Sequence, residues 1–169
     1  MRKAVLSDIK DIMTIITLTV TEMHAYLNYQ WDDSYPLEKD FLADINEGDL
    51  YVSERDGKLV GFVCVNKSEP VEYCGLDWSS SKDVMVIHRM AVHPKYRRKG
   101  VGRELMTFAE DLALKSNIEY LKTDTNSINE KMMSLFLKSG YKFIAEMNFL
   151  GKETPFYCYE KLLVKVNKS

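Results

Sequence analysis

The sequence predicts an α+β fold, built on a mixed, mostly antiparallel central sheet with flanking helices. Three observations predict it. Strand-like runs at 50–55 and 58–66 meet at Asp56-Gly57, a pair that favours a tight hairpin of the primed turn type. A strand, a basic loop, a long amphipathic helix and another strand follow one another over 83–125, which gives one parallel crossover in the middle of the chain. Two final runs, 141–149 and 156–164, alternate well enough to be the last two strands, joined around Gly151 and Pro155. At 169 residues the chain is most economically one domain, 1–169, with a full core.

Each element has its own signal. Residues 2–6 read as a short strand, and Ser7 as the N-cap of a first helix. That helix carries Ile9, Ile12, Met13, Ile16, Val20, Met23 and Leu27 on one stripe. Composition then shifts: His24, Tyr26, Tyr29, Trp31 and Tyr35 crowd together with Asp32 and Asp33. Pro36 is placed at N1 of a second helix bearing Leu37, Phe41 and Ile45, which Gly48 closes. Segment 67–82, with Pro70, Tyr73, Trp78 and serines 79–81, reads as a surface loop. The strand at 83–92 follows, then a helix to about Ser116, then a strand at 118–125. Ser127-Ile128-Asn129-Glu130 has the form of a capping box; Ile128, Met132, Leu135 and Phe136 make the next helical stripe, and Gly140 ends it.

Composition excludes several classes of function. Apolar residues make up 46% and charged residues 28%, the balance of a soluble globular protein. The formal charge is −2, so a run of cations is a local feature and not a surface for nucleic acid. Cys64, Cys74 and Cys158 lie far apart without metal-ligand spacing, which points to reduced thiols, no metal site and a cytoplasmic location. No apolar run has the length of a signal peptide or a membrane span.

The chain is organised around residues 84–106. Strand formers Val84 to Ile87 lead to His88-Arg89-Met90-Ala91-Val92, and Pro94 ends the ladder. Lys95, Arg97, Arg98, Lys99 and Arg103 surround Gly100 and Gly102, and a helix begins there with Val101, Leu105, Phe108, Ala109, Leu112 and Ala113 at helical spacing. Open N–H groups and the positive end of a helix dipole inside a basic loop suit a pyrophosphate. The nucleotide-triphosphate loop, Gly-x-x-x-x-Gly-Lys-Ser/Thr, occurs nowhere, which disfavours a triphosphatase. The dinucleotide fingerprint lacks its third glycine, with Leu105 in that place. A solvated basic turn is the plain alternative.

The string Arg97-Arg98-Lys99-Gly100-Val101-Gly102 fits Arg/Gln-x-x-Gly-x-Gly/Ala, and with the preceding Ala91-Val92-His93-Pro94 it resembles the acyl-CoA pyrophosphate loop of the GNAT N-acetyltransferase superfamily. The order β-α-α-β-β-β-α-β-α-β-β is similar to the family's order over essentially the whole chain. The resemblance implies a GNAT fold with splayed parallel strands, and acetyl-CoA (coenzyme A) as the cofactor. It implies that the main chain of Met90, Ala91 and Val92 meets the pantetheine arm. The loop formed by Arg97, Arg98, Lys99, Gly100, Val101, Gly102 and Arg103 would hold the pyrophosphate. Asn129, eleven residues before Gly140 in Asn-x6-Phe-x3-Gly-Tyr, resembles a cofactor-contacting asparagine; a polar first-turn residue is the alternative.

For chemistry, the resemblance implies a tyrosine that protonates the leaving thiolate, but Phe136 stands there. A thiol leaves fairly well as the anion, and Tyr141, Tyr157 or water are substitutes among which the sequence does not choose. Asp124 aligns with an acidic position that deprotonates the amine in some relatives, and His88 has a suitable ordinary pKa. Both also have structural readings: Asp124 as a carboxylate tying strand to loop, His88 as a hydrogen-bonded core histidine, with Asp124 a partner of the His88-Arg89 pair. By the same resemblance Tyr26, Tyr29, Trp31 and Tyr35 fall where the family places its acceptor-site wall, and Asp32, Asp33 and the rings would hold a cationic amine there; capping the core is the alternative. Gln30-Trp31-Asp32-Asp33-Ser34-Tyr35-Pro36 resembles a recurrent bacterial subgroup of mostly unassigned acceptor. The expected function is acetyl transfer to a primary amine of a small molecule or peptide, with a non-catalytic acyl-CoA-binding or sensor module as the alternative. Homodimers are common in the family.

Overall fold

The computed structural model describes residues 1–163. The observed strands are β1 (Arg2–Lys3), β2 (Leu50–Arg55), β3 (Lys58–Asn66), β4 (Met85–Val92), β5 (Tyr120–Asn126), β6 (Lys142–Met147) and β7 (Phe156–Leu162). The helices are α1 (Ile9–Ala25), α2 (Glu38–Glu47), α3 (Val101–Lys115) and α4 (Glu130–Lys138). The chain order is the expected one. Val164, at the end of the expected last strand, lies outside the described residues.

The strands follow one another in the sheet as β1-β2-β3-β4-β5-β7-β6. β4 and β5 are parallel, with Met85, Val86 and Ile87 opposite Leu121, Lys122 and Thr123. β1 with β2, β2 with β3, β5 with β7 and β6 with β7 are antiparallel. The β2–β3 turn has Asp56 at φ 50° and Gly57 at φ 71°, both left-handed as a type I′ turn requires.

The chain forms two compact units: Met1–Val65 with His88–Leu105, and Asn66–Ile87 with Met106 onward. In the first, Ile12, Ile15, Ile16 and Met23 of α1 and Phe41 of α2 pack with Leu50, Val52 and Phe62 of the sheet. Gly61 in β3 is fixed by space: a Cβ there meets the Ala91 carbonyl oxygen at 3.0 Å, Val101 at 3.1 Å and Leu105 at 3.3 Å. The missing side chain admits the first turn of α3. In the second unit Tyr73, Val86, Met147, Phe156 and Cys158 form a core, with Leu76, Trp78 and Phe149 against it.

Four expectations are corrected. The residue that precedes α1 is Asp8, not Ser7, and its side chain caps no α1 amide: it closes the 3-10 turn Leu6–Asp8, its carboxylate accepting the Val5 N–H at 2.8 Å and two guanidinium bonds from Arg2 at 2.7 and 2.8 Å. Pro36 precedes the first turn of α2 and is not at N1; Leu37 takes the extended N-cap position, and its N–H donates to Asp40 at 2.7 Å. Asn129, not Ser127, caps α4, accepting the Met132 N–H at 3.3 Å. The Ser127 N–H donates to the Pro155 carbonyl and the Ile128 N–H to the Asn126 side chain, so 126–129 is a turn before the helix. Last, segment 67–82 is no simple surface loop. It makes a 3-10 turn at Val71–Tyr73, and Tyr73 is 2% exposed. Two large aromatics drive this, because their area outweighs the polarity of the serines around them.

Candidate active site

The first unit carries the basic loop. His93 opens it, its Nδ1 accepting the Lys95 N–H at 3.2 Å while its own N–H donates to the Val60 carbonyl at 2.8 Å. Pro94–Tyr96 form a 3-10 turn. Arg97 is held inward: Nε donates to the Val92 carbonyl at 3.2 Å and the guanidinium pairs with Glu22 of α1. Its role is therefore to brace the loop.

Beyond it Arg98 takes φ 59° and Gly100 φ 84°. A Cβ on Gly100 would meet nothing within 4 Å, so glycine is required there by conformation and the face is open. Gly102 lies within the first turn of α3 and is not in the left-handed region. The first intrahelical bond runs from the Glu104 N–H to the Gly100 carbonyl at 3.0 Å. The amides of Val101, Gly102 and Arg103 precede it and have no acceptor one turn back. Arg98, Lys99 and Arg103 are exposed around them. Glu104 turns away to Ser53 at 3.0 Å and to Arg55 on β2. This donor set fits a diphosphate: helix-opening amides, exposed cations and the positive helix end.

Met90 and Ala91 are each 7% exposed and Val92 is half-buried. Their side chains serve the core, which leaves the main chain as the part available to a ligand. His88 is half-buried beside them. Arg89 does not use Asp124. Its Nε and Nη2 grip Asp44 of α2 at 2.8 and 2.5 Å, and Nη1 donates to the Tyr35 hydroxyl at 2.8 Å.

The aromatic segment divides. Trp31 is 6% exposed in the core, and its carbonyl lies 2.9 Å from His24 Nε2. Tyr35 is tied to Arg89, and Tyr26 packs against the same core half-buried. Tyr29 is 52% exposed, with its ring 4.8 Å from that of His24. Asp32 accepts the Ser34 N–H at 2.8 Å in a local turn, and Asp33 is exposed. Trp31 and Tyr35 are thus committed to the core and to Arg89, and Tyr29 presents an exposed ring.

The second unit carries the remaining residues. Asp124 on β5 accepts the Tyr73 hydroxyl on Oδ2 at 2.6 Å. Burial pushes its pKa up to about 6; the Tyr73 hydrogen bond opposes that rise and Glu72 adds to it. Next to it Lys122 is 6% exposed, its ammonium 2.5 Å from Glu69 and 4.3 Å from the Trp78 ring centre. Glu160 of β7 is held by Ser79 and Tyr120. Asn129 is buried, and its Oδ1 is spent on the α4 cap.

Phe136 is 1% exposed, with ring centres of Tyr159 at 5.3 Å and Tyr141 at 6.1 Å. The Tyr141 hydroxyl is buried with no hydrogen-bond partner among the described residues, and burial raises its pKa well above the ordinary tyrosine range, helped by Glu110. Such a phenol is a weak acid for a thiolate. Tyr73 and Glu72 are the residues that reasoning from sequence missed; the signal was two aromatics in a stretch otherwise read as solvated. Among the described residues no group of three or more His, Cys, Asp or Glu side chains is placed to hold a metal ion, and no helix is long and apolar enough to cross a membrane.

The basic loop joins β4 to the first turn of α3, and its donors suit a diphosphate. The family model described as Acetyltransferase (GNAT) family matches residues 15–141, and this chain belongs to that family. The chain is 27% identical over 97 residues to the uncharacterised N-acetyltransferase YhfO of Bacillus subtilis (strain 168), over 57% of this chain and 60% of that one. The matches span 40%, 60% and 44% of the lengths of the first three curated relatives. A GNAT family acetyltransferase from Streptococcus agalactiae superposes with TM-score 0.83 at 22% identity, covering 97% of this chain and 95% of that one. YncA of Salmonella typhimurium, solved with its cofactor acetyl-CoA, superposes with TM-score 0.72 at 18% identity, covering 97% and 93%.

Proposed function

We propose that this chain is an acetyl-CoA-dependent N-acetyltransferase that moves an acetyl group to a primary amine of a small molecule or peptide by direct attack in a ternary complex. The observation that carries this reading is the opening of α3, where Gly100 at φ 84° bares the amides of Val101, Gly102 and Arg103 among Arg98, Lys99 and Arg103. Family membership and the acetyl-CoA in YncA support the same cosubstrate.

Acetyl-CoA supplies the activated acyl group. The loop amides hold its diphosphate, and main-chain groups of Met90 to Val92 orient its arm and polarise the thioester carbonyl. The amine nitrogen attacks the carbonyl carbon, the C–S bond breaks, and the thiolate leaves with the electron pair. The proton lost by the amine goes to Asp124, whose pKa of about 6 leaves it mostly ionised at pH 7 yet basic enough to accept. With Phe136 in the acid's place, solvent protonates the thiolate. Tyr26, Tyr29, Trp31 and Tyr35 line the acceptor side, His88 is the second candidate for the amine proton, and Asn129 is read as a cofactor contact. We place the activity in the cytoplasm, with the whole chain acting as one domain.

The test is release of free thiol from acetyl-CoA in the presence of a panel of primary amines, with calorimetric titration of CoA beside it. Turnover on one or more amines is expected, together with at least a tenfold loss of CoA affinity in Gly100→Val. Tight CoA binding with silence across the panel overturns the catalytic reading in favour of a binding or sensor module. Unchanged affinity in Gly100→Val removes the loop as the site.

A further inference from the structure

We propose that Tyr73, in the segment between β3 and β4, is a positioning residue for Asp124: its hydroxyl holds Oδ2 and leaves Oδ1 to take the amine proton. The inference rests on the reading of Asp124 as the base.

The geometry is over-determined at Tyr73 and sparse at Asp124. The Tyr73 ring is 2% exposed and packs on Trp78 at 4.9 Å between ring centres. The Trp78 indole N–H donates back to the Tyr73 carbonyl at 2.9 Å, and the Tyr73 N–H closes a turn on the Pro70 carbonyl at 3.0 Å. Ring packing and two main-chain bonds thus hold the residue that carries the phenol. Asp124, by contrast, accepts one side-chain hydrogen bond among the described residues, the 2.6 Å bond from Tyr73. A carboxylate held through one oxygen keeps a fixed plane and presents the other oxygen in a constant direction.

The phenol is suited to be a donor and nothing else. Burial, and then the Asp124 carboxylate, raise the Tyr73 pKa well above its ordinary value, so it stays protonated wherever the base works. Other ionisable groups act on the carboxylate or lie on the strands paired with it. Glu72, of the same segment, pushes the Asp124 pKa up. On β7, Cys158 stands opposite Asp124 in register, its own pKa pushed up to about 12 by burial and then by Asp124. Lys122 is two residues back on β5, paired with Glu69, and Glu160 lies on β7. Among the described residues Tyr73 is the group that donates a hydrogen bond to the ionised side chain, so its removal has one direction of effect: the carboxylate becomes harder to form.

The experiment titrates the Asp124 carboxyl carbon by NMR in the full chain labelled with 13C-carboxyl aspartate, using Asp124→Asn to assign the signal. The wild-type midpoint is expected near 6, and Tyr73→Phe is expected to move it up by about one pH unit. Uniform replacement of tyrosine by 3-fluorotyrosine, a stronger donor, moves it down without removing an atom from the core. An unmoved midpoint in both overturns the inference. Thiol release from acetyl-CoA with an amine of the panel separates it from the reading it rests on. If Tyr73→Phe shifts the acidic limb of kcat/KM along with the NMR midpoint, both stand. A shifted midpoint with an unmoved limb, or an Asp124→Asn variant of full activity, means Asp124 is not the base and overturns the proposed catalytic consequence. An unmoved midpoint with an Asp124→Asn variant that is inactive leaves the base in place and removes Tyr73.

Discussion

Asp124 and Arg89 solve the same problem, a charge inside the fold, in opposite ways. Arg89 is matched: two nitrogens on Asp44 and one on Tyr35, with side-chain exposures of 17% and 9% for the ion pair. Taking away one partner strands the other, so Asp44→Ala is expected to lower unfolding free energy by about 3 kcal/mol in denaturant titration. Asp124 is under-matched, and its pKa is raised to about 6. Between the unfolded value near 3.9 and about 6 the folded state binds its proton more tightly. The stability that this proton linkage contributes is present in full below about pH 4 and is lost as pH rises through 6. Asp124→Asn removes that loss. It is expected to be about 1–2 kcal/mol more stable than wild type at pH 8 and nearly equal at pH 4, read from thermal unfolding at the two pH values. The sequence marked Arg89 and Asp124 as residues in need of partners and joined them to each other. The true partners, Asp44 and Tyr73, are 45 and 51 positions away, and no local pattern ties residues at that distance.

Elements were legible where a period or a turn chemistry spoke for itself. The Asp56-Gly57 hairpin, the α1 stripe from Ile9 to Met23 and the Gly48 and Gly140 helix ends all follow from local rules, with both glycines at positive φ; Leu27, expected on that stripe, lies past the helix end at φ 62° and is 66% exposed. What was not legible is what one element does to another. Gly61 looks like a weak spot in a strand of valines, yet it is the contact surface for Ala91, Val101 and Leu105. A methyl group there must push a backbone carbonyl or the first turn of α3 by a few tenths of an ångström. Gly61→Ala is therefore expected to cost about 1–2 kcal/mol in stability. Because the displaced turn is the one carrying the loop amides, CoA affinity measured by calorimetry should fall with it. A neutral Gly61→Ala would show that α3 is free to shift without consequence. Segment 67–82 taught the same lesson in reverse: its polar composition described the serines, while Tyr73 and Trp78 decided where it lies.

At the scale of the whole molecule the charge is −2, while coenzyme A is itself strongly anionic. A ligand governed by the average field would be repelled, and added salt would tighten its binding by screening that repulsion. The loop predicts the opposite sign. Arg98, Lys99 and Arg103 are exposed within six residues of one another, beside three open amides. At 0.1 M salt the screening length is about 10 Å, comparable to the size of that patch, and at 1 M it is about 3 Å. CoA affinity is therefore expected to weaken on the order of tenfold as NaCl rises from 0.1 to 1 M. The triple variant Arg98→Ala, Lys99→Ala, Arg103→Ala should bind more weakly at low salt and lose most of that dependence, because the amides that remain are dipoles held at contact distance. Calorimetry across the salt series reads both effects, and affinity that rises with salt in the wild type would mean that the basic loop does not hold the diphosphate.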